Sequence, residues 1–387
     1  MSLKIKKIAL DNFRGYSHFE IEDIPNLTII VGENAVGKTN IVEAIELLTS
    51  GVSFRKPSWK ETVSWNCDSA HAEIFMEDGK RQVKHEMDIE GNERKYAVNS
   101  KTKRVSSVRG TLPCVLFTPD DLQLVKASSS RRRDAIDALG AQLSKNYSSL
   151  KSNYQLALRQ RNLLIKEEIH DGALFESWDE SLAVHGSRLC LNRWRLFNRL
   201  CVHMKRIYHE ISQNESFELV YIPSWMRFDS EMRQIGDIPE ICEGIQGEEM
   251  NLASIQQKIT EYSSMLASSE IRRKTSLIGP HKDEMTFFIN GKNARMFASQ
   301  GQQRTIVLAL KLAAVELVNE MMQEEPVLLL DDVMSELDEK HRMALTGFLE
   351  RGAQAFITTT NLGYFSEELL KRAKVVNVPI QGTRYEY

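Results

Sequence analysis

The sequence predicts an α/β fold built round a phosphate loop, with a helical lobe inserted between its two halves. Three observations carry that expectation. An apolar run, Leu27 to Val31, leads into GENAVGKT, Gly32 to Thr39, and on into an amphipathic helix. Far downstream a second apolar run, VLLL, ends in the acids Asp331 and Asp332. Between them the pattern turns to long helical periodicity, so the two ends must meet in space to complete one sheet.

Taken in order, Ile5, Ile8 and Leu10 begin a strand, and Leu27 to Val31 has the unbroken apolar character of a buried parallel strand. After the loop, Ile41, Ile45 and Leu48 share one helical face, and Gly51 supplies the stop. From about Ala70 to Val98, alternating segments with EDGK and EGNE turns predict antiparallel hairpins. Ile136, Leu139, Leu143, Tyr147, Leu150, Tyr154 and Leu158 then predict one helix from Ala135 to Leu164, about 45 Å long and too short for a coiled-coil tether. Further helices are expected over Glu176 to Ile211 and Leu252 to Ser268. EMTFFING reads as a strand, ASQGQQRT opens a helix running to about Met322, and PVLLLDD and AFITTTN are buried strands. The expected division is 1–120 as the first half of the head, 121–274 as the helical lobe and 275–387 as the second half.

Bulk properties narrow the function classes. The 387 residues are 42% hydrophobic and 27% charged, which suits a globular protein of two or three domains. A net charge of −3 leaves nucleic acid to be met only by local basic patches. Cys67, Cys114, Cys190, Cys201 and Cys242 show no metal-ligand spacing and read as reduced thiols. The N-terminal stretch lacks a signal-peptide core and no apolar run approaches a membrane span, so a cytoplasmic protein is expected.

GENAVGKT in a strand–loop–helix context has the composition of an ATP cradle. Gly32 and Gly37 let backbone N–H groups turn inward, and Glu33, Asn34, Ala35, Val36 and Asn40 complete the loop and its exit. Lys38 reaches the terminal phosphates and the Thr39 hydroxyl ligates Mg²⁺. Asp331 suits the metal, and Asp332 suits the proton of an attacking water, although two acids also describe a plain strand end. In ASQGQQRT, Ser299, Gly301 and Gln302 lie at a helix N-terminus without a lysine. Such a turn can complete a phosphate site begun elsewhere, or simply cap a core helix.

LDNFRGY (Leu10 to Tyr16), GENAVGKTN, GPHKDE (Gly279 to Glu284), SQGQQR and LLLDDVMSELD, in this order, resemble the bacterial RecF recombination family. The resemblance implies an ABC-type ATPase head, akin to SMC and double-strand-break repair heads but without their long coiled coils. It implies two heads joined by ATP, with Ser299 and Gly301 of one facing the nucleotide on Lys38 of the other. Ser335 and Asp338 would lie near that seam, and Gln123 would be a metal or water ligand. It implies recombinational repair and replication restart, with RecO and RecR helping to load RecA at gapped DNA. An ABC-transporter ATPase and an SMC-like tether are the other readings; the signature argues against the first and the short helices against the second.

Departures from the family pattern carry expectations too. Ala35 and Val36 stand where many relatives have a glycine, which should stiffen the loop. Asp332 stands where the catalytic glutamate is usual, so slow turnover suited to a switch is expected. Thr358 or Thr359 stands in for the usual histidine. For DNA, the basic groups are Lys101, Lys103 and Arg104, then Arg131, Arg132 and Arg133, then Arg159 and Arg161, then Arg272, Arg273 and Lys274. No aromatics interleave them, which favours phosphate contact with double-stranded or junction DNA over base stacking.

Overall fold

The computed structural model describes residues 2–168, 172–228 and 250–378 and divides into two compact units, 1–122 with 307–387, and 123–306. Cys242 lies outside the described residues; Cys67, Cys114, Cys190 and Cys201 are free thiols. No described helix is long and apolar enough to cross a membrane.

The first unit is built on two sheets. Its parallel sheet runs in the order Lys374–Asn377, Leu27–Val31, Ala355–Thr359, Val327–Asp331, Cys114–Phe117. The N-terminal strand is therefore flanked on both sides by strands from the far end of the chain, as two half-motifs that must share one sheet require. Val327–Asp331 is buried at every position, the signature of a strand covered on both faces. The second sheet is antiparallel, in the order Tyr16–Ile21, Lys4–Phe13, Ser69–Glu77, Gln82–Glu90, Glu93–Val98, Lys101–Lys103. Ser69–Glu77 alternates buried and open positions, so only one face of that sheet is packed. The helix Lys38–Ser50 lies in the core between the sheets. Ile41, Ile45 and Leu48 join Ile8, Ile74 and Met87 from one sheet and Leu329 and Phe356 from the other.

The same helix carries an acid whose titration can be followed. Glu46 accepts a hydrogen bond from the Phe54 N–H at 2.8 Å. Burial pushes its carboxyl up to about 8 from an ordinary 4.5, Phe54 holding it down and Glu43 adding to the rise. Between those pH values the folded chain keeps a proton that the unfolded chain releases, so stability falls as pH rises through the window. Glu46→Gln keeps the acceptor and removes the titration. It should melt at a higher temperature than the wild type at about pH 8, by a few kcal/mol of stability, and match it near pH 4.5. Melting curves with a pH-independent gap would show that Glu46 is ionised in the fold.

The second unit is helical: Ser129–Leu143, Lys145–Lys166, Gly172–Ile211 and Leu252–Arg273, with a small antiparallel sheet ordered Lys292–Asn293, Glu284–Ile289, Phe217–Ile222. The single helix expected over Ala135 to Leu164 is broken at Ser144, whose backbone is extended at φ −150° and ψ 123°. The break folds the Tyr147 ring against Gly140, where an added Cβ would come within 2.8 Å of it. Gly172–Ile211 is about 60 Å long, yet it buries Leu182, Leu189, Phe197, Leu200 and Tyr208 rather than projecting as a free arm. Glu284–Ile289 pairs with Phe217–Ile222, and both strands lie within the unit that spans 123–306.

Candidate nucleotide site

The loop after Leu27–Val31 is shaped by close approach. A Cβ at Gly32 would lie 2.2 Å from the Val378 carbonyl oxygen. Gly37 holds φ +100° with the Tyr16 hydroxyl 3.0 Å from where its Cβ would stand. Ala35 also takes a left-handed conformation, φ 67°, which costs an alanine about 1 kcal/mol that glycine would not incur. Lys38 is buried and its ammonium crosses the loop, donating to the carbonyls of Gly32 at 2.8 Å and Glu33 at 2.7 Å. Burial pushes its pKa down, while Asp332 and Asp331 hold it up. Thr39 follows in the first helical turn, and Asn40 accepts from Arg55 at 2.8 Å.

The two acids are positioned by a residue that the motifs alone do not single out as a brace. Thr358 is fully buried; its hydroxyl donates to Asp331 Oδ1 at 2.8 Å and accepts from the Asp332 N–H at 2.9 Å. Thr359 bonds instead to the backbone of Asn361. Thr358 thus braces the two acids, and Thr359 closes its own turn. Asp332 sits at φ 52°, a left-handed conformation that aspartate tolerates. Its Oδ1 is buried without a hydrogen-bond partner. Burial raises its pKa, with Lys38 opposing and Asp331 adding to the rise.

An ammonium, a hydroxyl, two carboxylates and a helix N-terminus are oxygen-ligand and phosphate chemistry, and they fit a magnesium triphosphate. The Asp332 oxygen, unpartnered among the described residues, is the sign of fit, because a buried carboxylate oxygen calls for a donor or cation. A bound metal would supply charge neutralisation for the phosphates. The chain's own groups would orient them: Lys38 by its charge, Thr39 and Asp331 as metal ligands, Asp332 as a proton acceptor.

The helix beneath the site is clamped as well. Arg14, from LDNFRGY, donates to both oxygens of fully buried Glu43, at 3.0 and 2.8 Å, and to the Glu61 carbonyl. Ser53 adds a 2.6 Å bond to the same carboxylate. The motif's arginine thus fixes the helix whose start holds Lys38.

In the second unit, Ser299 and Gln302 form a capping box. The Gln302 N–H donates to Ser299 Oγ at 3.2 Å, and the Ser299 N–H donates to Gln302 Oε1 at 2.8 Å. Ser299 is exposed, and Gly301 meets only Ser299 Oγ, at 4.0 Å, where a Cβ would stand. Packing among the described residues thus gives no reason for glycine there. Ser335 donates to the Asp332 carbonyl at 2.8 Å, and Asp338 caps Glu339–Leu349. Gln123 belongs to the second unit and its side chain is exposed.

The model of the RecF/RecN/SMC N-terminal domain family matches residues 4–381. Over 97% of the chain and 96% of theirs, it is 34% identical to the DNA replication and repair proteins RecF of Bacillus mycoides (strain KBAB4) and Bacillus thuringiensis (strain Al Hakam). The chain belongs to the RecF family. It is also 32% identical to the solved structure of the recombination mediator protein RecF with ATPrS in the RecFOR pathway, with a TM-score of 0.83 over 94% of each chain. An SMC head bound to the winged-helix domain of ScpA shares the fold at TM-score 0.54 and 14% identity.

Within this RecF chain the basic clusters separate by burial. Lys103, Arg104, Arg131, Arg272, Arg273 and Lys274 are exposed. Arg132 is not a surface cation: it is buried, paired to Glu284 at 2.7 Å, and bonded to the carbonyls of Leu124, Val125 and Ala127. Arg132 does not meet DNA, contrary to the expectation for it, because its guanidinium is committed inside the unit. Arg161 is likewise buried, between Glu270 and Asp179. Arg133 is half-buried and donates to the Asp283 carbonyl at 2.6 Å. Helical spacing carried a usable signal, since Arg132 precedes Ile136 by four residues and Arg161 follows Tyr154 by seven.

Proposed function

We propose that this RecF chain binds ATP with Mg²⁺, hydrolyses it slowly, and uses it to hold two copies together on DNA in the cytoplasm. The observation that carries the reading is the buried Asp332 oxygen, unpartnered beside Asp331 and acting on Lys38. The relatives' name as replication and repair proteins, and the matched RecF structures with ATPrS and ATP, support it. Ser299, Gly301 and Gln302 of one copy would close over the phosphates on Lys38 of the other. An exposed signature turn, a glycine without an internal reason, and exposed Met296 and Phe297 just before it suit that role. Gln123 would serve as a metal or water ligand. Lys103, Arg104, Arg131 and Arg133 would meet phosphates of duplex or gapped DNA, and RecO and RecR would act with the clamp to load RecA.

Mixing Ser299→Arg and Lys38→Ala protomers tests the composite site. Each variant alone should be inactive, whereas an equal mixture should regain about a quarter of wild-type ATPase activity, since half the dimers hold one intact site of two. A mixture that merely averages its parents would mean self-contained pockets.

A further inference from the structure

We propose that the second unit carries a phosphate site of its own, in which Arg133, Arg227, Arg273 and Lys282 surround a recess of about 310 Å³ that receives a dianionic phosphate group. No carboxylate lines this recess among the described residues. The acids beside it in sequence are committed elsewhere. Asp283 accepts from the Ser224 N–H at 2.8 Å and from the Tyr221 hydroxyl; Glu284 holds Arg132. Glu270 holds Arg161 and accepts from the Leu277 N–H. GPHKDE is therefore a turn that buries its two acids and leaves Lys282 at the recess.

Two of the guanidinium groups are held by the same turn. Arg133 donates to the Asp283 carbonyl at 2.6 Å and Arg227 to the Lys282 carbonyl at 3.4 Å. His281 is a wall and not a fifth charge: Nε2 donates to the Ser276 carbonyl at 3.0 Å, so Nδ1 accepts from the Tyr154 hydroxyl at 2.5 Å. Burial lowers its pKa to about 3, which keeps the ring neutral. Burial also lowers the pKa of Lys282, and Arg133, Arg227 and Arg273 press it further down against the opposing charge of Glu270. Like charges gathered round a recess that no described carboxylate lines are costly, and a dianion relieves that cost. A recess walled by four cations matches the two charges of a phosphate monoester or a free phosphate compound better than the single charge of a backbone diester. The source is then either a polynucleotide end or a free phosphorylated molecule.

The test uses the full chain carrying Lys38→Ala, which silences the loop. The probes are pyrophosphate and a DNA duplex with or without terminal phosphates, followed by calorimetry and fluorescence anisotropy. Arg273→Glu is exposed and should fold, and its melting curve checks that; Lys282→Gln is the second variant. The expected result is binding of at least one phosphate probe, weakened about tenfold or more by either variant, the size of a lost charged hydrogen bond. Preference for the phosphorylated duplex assigns a polynucleotide end; binding of pyrophosphate without that preference assigns a free phosphate compound. No binding of either probe, or binding indifferent to both variants, overturns the site. The outcome is independent of the composite ATP site, which the mixed protomers test.

Discussion

Asp332→Asn should bind ATP as tightly as the wild type, hydrolyse it about 10²- to 10³-fold more slowly, and accumulate as the ATP-joined dimer. The variant keeps the size and the backbone conformation at φ 52°, so the Thr358 hydroxyl still receives its N–H. What it loses is a carboxylate whose pKa burial has raised and whose Oδ1 has no partner among the described residues. Such a group accepts a proton only when ionised, so wild-type turnover should rise with pH through its titration, while the residual rate of the variant should not. Single-turnover phosphate release and mass in solution with and without ATP are the measurements. Unchanged turnover would remove Asp332 from proton transfer and leave it a metal ligand at most. Thr358→Val sharpens the comparison: it leaves both acids but frees their geometry, so it should slow turnover less than Asp332→Asn.

Much of this site was legible because its determinants are local. GENAVGKT contains its own glycines, lysine and helix start, and VLLLDD contains its own strand and acids. Their separation by a helical middle already required the interleaved sheet in which Leu27–Val31 pairs with Ala355–Thr359. What escaped depends on partners remote in sequence. Arg132 reads as one of three surface arginines until Glu284 is brought beside it. The strand Glu284–Ile289 reads as part of the second half of the head until it pairs with Phe217–Ile222. The bracing part of Thr358 shows only once both of its bonds are seen to end on the acids. The break at Ser144 was hidden for a different reason: apolar spacing continues through it, although the contact across the bend, Tyr147 on Gly140, spans only seven residues.

Arg193→Met should destabilise the second unit by about 3–5 kcal/mol, the usual result of removing one partner from a buried ion pair. Arg193 is buried and forked onto Asp137, at 2.8 and 3.1 Å, while donating to the Pro280 carbonyl at 2.6 Å and lying 3.6 Å from Asp283. Burial pushes both acids up; Arg193, with Lys151 and Tyr147, outweighs that at Asp137, whose carboxyl stays low, whereas Asp283 is raised. Without the guanidinium, Asp137 keeps Lys151 at 3.0 Å and the Tyr147 hydroxyl, whereas Asp283 keeps only neutral donors. The deficit is therefore a charge problem more than a packing one, since methionine fills similar space. Acidification should separate the two. As pH falls the acids take up protons, the uncompensated charge disappears, and the gap in melting temperature between variant and wild type should narrow. A gap that stays constant from about pH 8 down to the acid limit of the fold would instead assign the loss to packing. Arg193→Met/Asp283→Asn should recover part of the stability at neutral pH, because the double change leaves no unpaired charge at Asp283. Asp283 and Pro280 belong to GPHKDE, so this network also holds the turn that carries Lys282 to the phosphate recess. The same Arg193→Met protein should then show weakened pyrophosphate binding at temperatures where it remains folded.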